Sequence, residues 1–144
     1  MRVVVQRSKK SNVYVDGKLV NKIDSGMVLL VSFTQKDTED NILKMVKKIA
    51  NLRIFDDENG VMNRSIMDAG GEILSISQFT LYADTRKGNR PSYVNALNGG
   101  EAIKLYEKFN EEMNKYVVTK PGIFGAEMMV NISNDGPVTL IMEF

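Results

Sequence analysis

Hydrophobic and polar positions alternate with two different periods along this chain, and the switches between them mark out its elements. Arg2 to Arg7 carries three consecutive valines and reads as a buried strand. Asn12-Val13-Tyr14-Val15 reads as a second short strand. The dipeptide Asp16-Gly17 then predicts a tight hairpin into Lys18 to Ile23. Asp24-Ser25-Gly26 turns again, and Met27 to Phe33 is a near-continuous apolar run, as a central strand requires. The first third is therefore expected to be a β-meander.

The period changes at Thr38-Glu39-Asp40. Ile42, Met45, Val46 and Ile49 recur at helical spacing and form one apolar stripe. Asp37 or Thr38 can cap this helix, and acids in its first turn suit the helix dipole. Lys44, Lys47 and Lys48 lie off the stripe and read as a solvated face. Leu52 to Phe55 is expected to be a short strand and Asp56-Asp57-Glu58-Asn59-Gly60 an acidic turn, since its spacing lacks a calcium-loop pattern. Asn63-Arg64-Ser65 reads as the start of a linker. After the turn at Asp68 to Gly71, a strand is predicted up to Leu81. Gly99-Gly100 precedes a second helix whose inner face is Ile103, Tyr106, Phe109, Asn110 and Met113. Lys120-Pro121-Gly122 closes that region. Two last strands are predicted, Gly125 to Ser133 and Pro137 to Phe144, joined by a turn at Asn134 to Pro137. The expected architecture is one α+β domain over 1–144, with a mostly antiparallel, curled or barrel-like sheet and two main helices packed outside it.

Composition then narrows the chemistry. The chain of 144 residues has no cysteine and no histidine. That removes thiol nucleophiles, Ser-His-Asp catalysis and the commonest metal ligands. The carboxylates show no ligand spacing, so neither a metal nor another cofactor is expected. Net charge is only +1, so any nucleic-acid contact must rest on a local patch. No apolar run reaches a membrane span and the N-terminus lacks a signal-peptide core, which predicts a cytoplasmic location.

The stretch with most chemical promise is Ser77-Gln78-Phe79-Thr80-Leu81. It is followed by a basic loop, Asp84-Thr85-Arg86-Lys87-Gly88-Asn89-Arg90-Pro91. A strand that ends on a hydroxyl and an amide beside cations suits an anionic substrate. Taken singly, Thr80 and Phe79 can be ordinary strand residues, Arg86, Lys87 and Arg90 a solvated loop, and Gly136-Pro137 a plain turn.

Together these stretches resemble the D-aminoacyl-tRNA deacylase family. The same holds for Asn134-Asp135-Gly136-Pro137-Val138-Thr139-Leu140, Gln6-Arg7, Leu52 to Phe55, Gly70-Gly71-Glu72 and Phe124 to Met128. The chain departs from the family pattern at Pro121-Gly122 and in the polar stretch Ser8 to Asn12. The resemblance implies a homodimeric hydrolase that cleaves the ester between a D-amino acid, or mischarged glycine, and the 3′ ribose of tRNA. It implies that Ser77, Gln78, Phe79 and Thr80 line one subunit's pocket, with Phe124, Gly125 and Met128 as walls and Arg7 in support. Gly136 and Pro137 would reach in from the other subunit as a cis pair and exclude L-amino acids. Arg86, Lys87 and Arg90 would hold the tRNA end. Thr80 is either a nucleophile or a positioning group, with the ribose 2′-OH as the alternative base. The reading from another class is a non-catalytic nucleic-acid-binding module, and a ligand-free structural dimer is a further one.

Overall fold

The fold is built around the apolar run in the middle of the first third. In the computed structural model, which describes residues 1–144, this run is strand β4 (Gly26–Ser32). Its two faces are both buried. Met27, Leu29 and Val31 belong to one core cluster, while Val28 belongs to another, with Leu30 packed against it. Burial on both faces is the reason the run is almost unbroken by polar residues.

Strand β1 (Arg2–Ser8) lies antiparallel to β4, with Arg2 opposite Ser32 and Ser8 opposite Gly26. β10 (Asn134–Glu143) flanks β1 on the outside. On the other side β7 (Glu72–Ser77) and β8 (Thr119–Pro121) run parallel to β4, which gives a five-stranded sheet in the order β10-β1-β4-β7-β8. The expected meander is corrected here. β2 (Ser11–Val15) and β3 (Lys18–Ile23) form the predicted hairpin, but they leave the main sheet and pair with β9 (Met129–Asn131) in a second sheet. Val13 and Ile23 from this hairpin cover the β4 and β7 face that carries Val28, Leu74 and Ile76.

Two main helices cover the opposite face. α1 (Glu39–Ala50) buries Ile42, Met45, Val46 and Ile49, the predicted stripe, and Thr38 caps it in a reciprocal box with Asn41. The last helix, Gly99–Asn114, buries Tyr106, Phe109 and Met113 as expected, together with Ala102, and Ile103 and Asn110 are only half-buried. The α+β class and the largely antiparallel pairing hold, but the sheet is open rather than barrel-like, since edge strands β10 and β8 do not pair with each other.

Other differences trace to missing or unforeseen partners. Only Phe55 of the expected Leu52–Phe55 strand pairs, in β5 (Phe55–Asp56), and the partner is Met62–Arg64 (β6), inside the stretch read as running into a linker. Ser65 then caps a one-turn helix, α2 (Ile66–Ala69); the helix Gly99–Asn114 is therefore α3. The strand expected up to Leu81 stops at Ser77. β4 ends at Ser32, so after Gln78 N–H bonds to the Val31 carbonyl no ladder remains, and Phe79–Tyr82 coils into a 3₁₀ turn. β8 was not foreseen, and of the stretch Gly125–Ser133 only Met129–Asn131 is strand. Asn134 to Pro137 is not a turn between strands but part of β10.

Candidate active site

Because β7 gives out at Ser77, its end opens a cavity of about 610 Å³. Ser77, Gln78 and Phe79 form one wall, and Phe124, Gly125 and Met128 form the other. The N-terminal end of α3 closes a third side with Asn98, Gly99 and Ala102, and Ser32 and Tyr93 are also in the lining. Six predicted site residues thus converge here from stretches far apart in the chain. Asn98, Gly99, Tyr93 and Ser32 were not foreseen as site residues, although Asn98 before Gly99-Gly100 carries a readable helix-cap signal, and its side chain does accept from Glu101 N–H.

The 3₁₀ turn begins at the cavity, with its first residue Phe79 in the lining. Its cap residue Gln78 makes no side-chain cap hydrogen bond. Its amide donates instead to Thr80 Oγ1 at 2.5 Å. The opening N–H groups of the turn, on Phe79 and Thr80, therefore have no partner within it. Thr80 is half-buried beside the cavity, and no carboxylate or amine is bonded to its hydroxyl. Phe79 is 57 % exposed and meets Tyr93 edge-on at 5.1 Å between ring centroids. The turn is held from behind: Ser32 Oγ donates to the Phe79 carbonyl at 3.4 Å, and the Arg2 guanidinium donates to the Leu81 carbonyl. Arg2 also lies over the Tyr82 ring at 4.8 Å. Burial, with Asp37 nearby, pushes the Tyr82 phenol up to about 12, so it stays neutral.

The basic loop leaves and rejoins the fold near the cavity rim. Asp84 and Ser92 close it with paired backbone hydrogen bonds of 2.8 and 2.9 Å. Within it Arg86 is bound by its own neighbour. Its Nη2 and Nε donate to the Asp84 carboxylate at 2.6 and 2.9 Å, and this contact draws the Asp84 carboxyl down to about 2. Lys87 and Arg90 are exposed and make no ion pair.

Arg7, Gly136 and Pro137 lie elsewhere. Arg7 sits at the opposite end of β1 from Arg2, five residues away and so roughly 16 Å along the strand. Arg7 is 8 % exposed, and two of its guanidinium nitrogens are engaged. Nη1 donates to the Ile54 carbonyl at 2.9 Å and to Asp56 at 3.1 Å, and Nε reaches the Asp135 carbonyl and carboxylate, each at 3.3 Å. Between the pairs Gln6–Thr139 and Ser8–Asn134, β1 advances two residues and β10 five. Asp135 to Val138 thus stand opposite the single residue Arg7 and form a bulge. Gly136 and Pro137 are exposed on this bulge, and the bond between them is cis. Gly136 has φ +121°, and a Cβ there would stand 2.9 Å from Val138 Cγ2 and 3.2 Å from Arg7 Nη2.

Fold and cavity thus define a small α+β protein with an apolar cleft at one end of a mixed sheet, offering hydroxyl, amide and backbone N–H groups without imidazole or thiol. The chain belongs to the D-Tyr-tRNA(Tyr) deacylase family, whose model matches residues 4–143. It is 56% identical over 144 residues to a D-aminoacyl-tRNA deacylase of Bacillus cytotoxicus, with 99% of each chain covered. It is 54% identical to the protein of the same name from Bacillus cereus strain B4264, over the same share of both. A solved structure titled c-Myc DNA Unwinding Element Binding Protein superposes with TM-score 0.95 at 40% identity, covering 100% of this chain and 99% of the other. A probable eukaryotic D-amino acid tRNA deacylase shares the fold with TM-score 0.84 at 16% identity, covering 98% and 97%.

Proposed function

We propose that this protein hydrolyses the ester between a D-amino acid, or glycine, and the 3′ ribose of tRNA, and that it works as a homodimer. Family membership supports the reaction class. The observation that carries the site is the uncapped 3₁₀ turn, which leaves the Phe79 and Thr80 N–H groups without a partner at the edge of a cleft of suitable size.

An aminoacyl ester is already activated, so what it needs most is stabilisation of the oxyanion that forms at its carbonyl. Backbone donors at Phe79 and Thr80 supply this without reorganisation. Water adds to the carbonyl and the substrate's 2′-OH relays its proton. The bond to O3′ then breaks, O3′ takes the proton, and free amino acid leaves. Thr80 positions the turn through its bond from Gln78. With no base beside it, it is a poor candidate for a nucleophile. Lys87 and Arg90 hold the terminal phosphates, and Phe79 offers an exposed face for stacking.

Gly136 and Pro137 are too far from the cleft of their own chain to serve it, so a second copy must bring them. Lacking a Cβ, Gly136 lets its backbone approach the substrate α-carbon closely, and an L side chain would point into that backbone. Glycine has nothing to clash and should pass.

Release of amino acid from one tRNA charged in turn with D-Tyr, L-Tyr and Gly tests this reading. Cleavage of the D and Gly esters with the L ester spared is expected, and equal turnover of D and L would remove the wall. The structural neighbour with a DNA-binding title favours one second reading, a nucleic-acid module without catalysis. Binding of uncharged tRNA with no ester cleavage would select it.

A further inference from the structure

Beneath the cleft lies a buried polar residue that the reaction above does not use. Tyr106, on α3, is 3 % exposed. Its hydroxyl donates to the Ser75 carbonyl at 2.7 Å, and the same carbonyl accepts from Gly122 N–H at 2.8 Å. This is where the β7–β8 ladder stops, at the pair Ser75–Pro121. Beyond it the two chains become the two cleft walls: one continues as Ser77-Gln78-Phe79, the other through Gly122 to Phe124 and Met128. The Tyr106 ring packs against Phe124, with centroids 5.8 Å apart.

The joint is closely packed. A Cβ on Gly122 would stand 2.7 Å from Met128 Sδ and 3.1 Å from Ile76 Cδ1. It is also polar beyond what a core needs. Ser75 Oγ and Asn110 Oδ1 are buried there with no hydrogen-bond partner. Burial pushes the Tyr106 phenol up. The hydroxyl therefore stays a protonated donor at neutral pH. A phenylalanine would fill the same space, so the hydroxyl is not required for packing.

We propose that Tyr106 is a positioning residue: its hydroxyl and ring clamp the end of β7 to the Gly122–Phe124 segment and so set the spacing of the two cleft walls. The reaction it positions is the deacylation proposed above. In Tyr106→Phe the Ser75 carbonyl keeps its bond from Gly122, so the variant should fold. Its amide hydrogen exchange at Ser77 and Gly122 should quicken roughly tenfold, with exchange at Phe109 and Met113 unchanged. Its kcat on D-Tyr-tRNA should fall roughly tenfold with KM little altered, because a cleft wall slightly out of place costs rate more than binding. Phe109→Leu, a core change away from the cleft, should lower stability and leave both readouts as in the wild type. Unchanged exchange at Ser77 and Gly122 would overturn the clamp, as would an equal fall in kcat in Phe109→Leu. If the wild type fails to cleave D-Tyr-tRNA while the exchange signature is present, the deacylase reading falls and the clamp stands.

Discussion

The two ends of the central sheet are built in opposite ways. At the Ser77 end the ladder runs out, donors are left open and an aromatic ring stands exposed. At the Arg7 end the polar groups are tied together: one buried guanidinium spans the Ile54 carbonyl, Asp56, and the carbonyl and carboxylate of Asp135. An open end suits a ligand that must be bound and released. A rigid end suits a surface that must refuse one, since a wall that yields cannot discriminate. The proposed reaction needs both, and the length of β1 keeps them apart in one chain.

Removing the strut should have the largest effect. Arg7→Ala strands Asp56 and Asp135 around a vacated, largely buried position. It is expected to cost about 3 kcal/mol of stability, which urea unfolding would measure. Discrimination between D- and L-Tyr-tRNA should collapse with it. Wild-type stability and selectivity in this variant would show that the rigid end is held by something else.

Gly136→Ala probes the same end more gently. A side chain at φ +121° with a 2.9 Å contact should cost about 1–3 kcal/mol locally. Sedimentation should report the same assembly state as for the wild type, but the ratio of D to L turnover should drop. An unchanged ratio would place chirality selection outside the bulge.

At the open end, Thr80→Ala removes one hydrogen bond but neither backbone donor, so turnover should fall less than about tenfold. A tRNA ending in 2′-deoxyadenosine, acylated on its 3′-OH, should resist cleavage. Rapid cleavage of that ester together with a trapped acyl-Thr80 would reverse both assignments.

The smallest effects are expected in the loop. Lys87→Ala should reduce the salt slope of tRNA binding by about one phosphate contact, and Arg86→Ala by less, because Asp84 already neutralises Arg86. The Asp84 carboxyl is depressed to about 2, so what its pairing contributes is complete above its ordinary 3.8 and is lost only as pH falls toward 2. The contrast between the two variants should therefore be the same at pH 5 and pH 8. An equal salt slope for both would mean that the Asp84–Arg86 pair opens on binding.

Elements whose signal is local were legible from the residues alone. The α1 stripe with its Thr38 cap, the Asp16-Gly17 hairpin and the doubly buried β4 each follow from period, turn chemistry and burial within a few neighbouring positions. The stretches Ser77–Leu81 and Asn134–Leu140 also stood out, as groups of residues. What the sequence could not determine was where strands end, because a ladder ends when its neighbour does. Phe79 and Leu81 keep the alternation of a strand, yet Ser32 is the last residue of β4 and the chain coils. The bulge at Gly136 likewise arises from a mismatch in advance between β1 and β10, a relation between residues more than a hundred positions apart. Tertiary pairing alone decided that Phe124, Asn98 and Ser77 share one cleft while Arg7 and Gly136 stand at the far end of the sheet, since periodicity describes a segment's own faces and carries no information about which partner meets them.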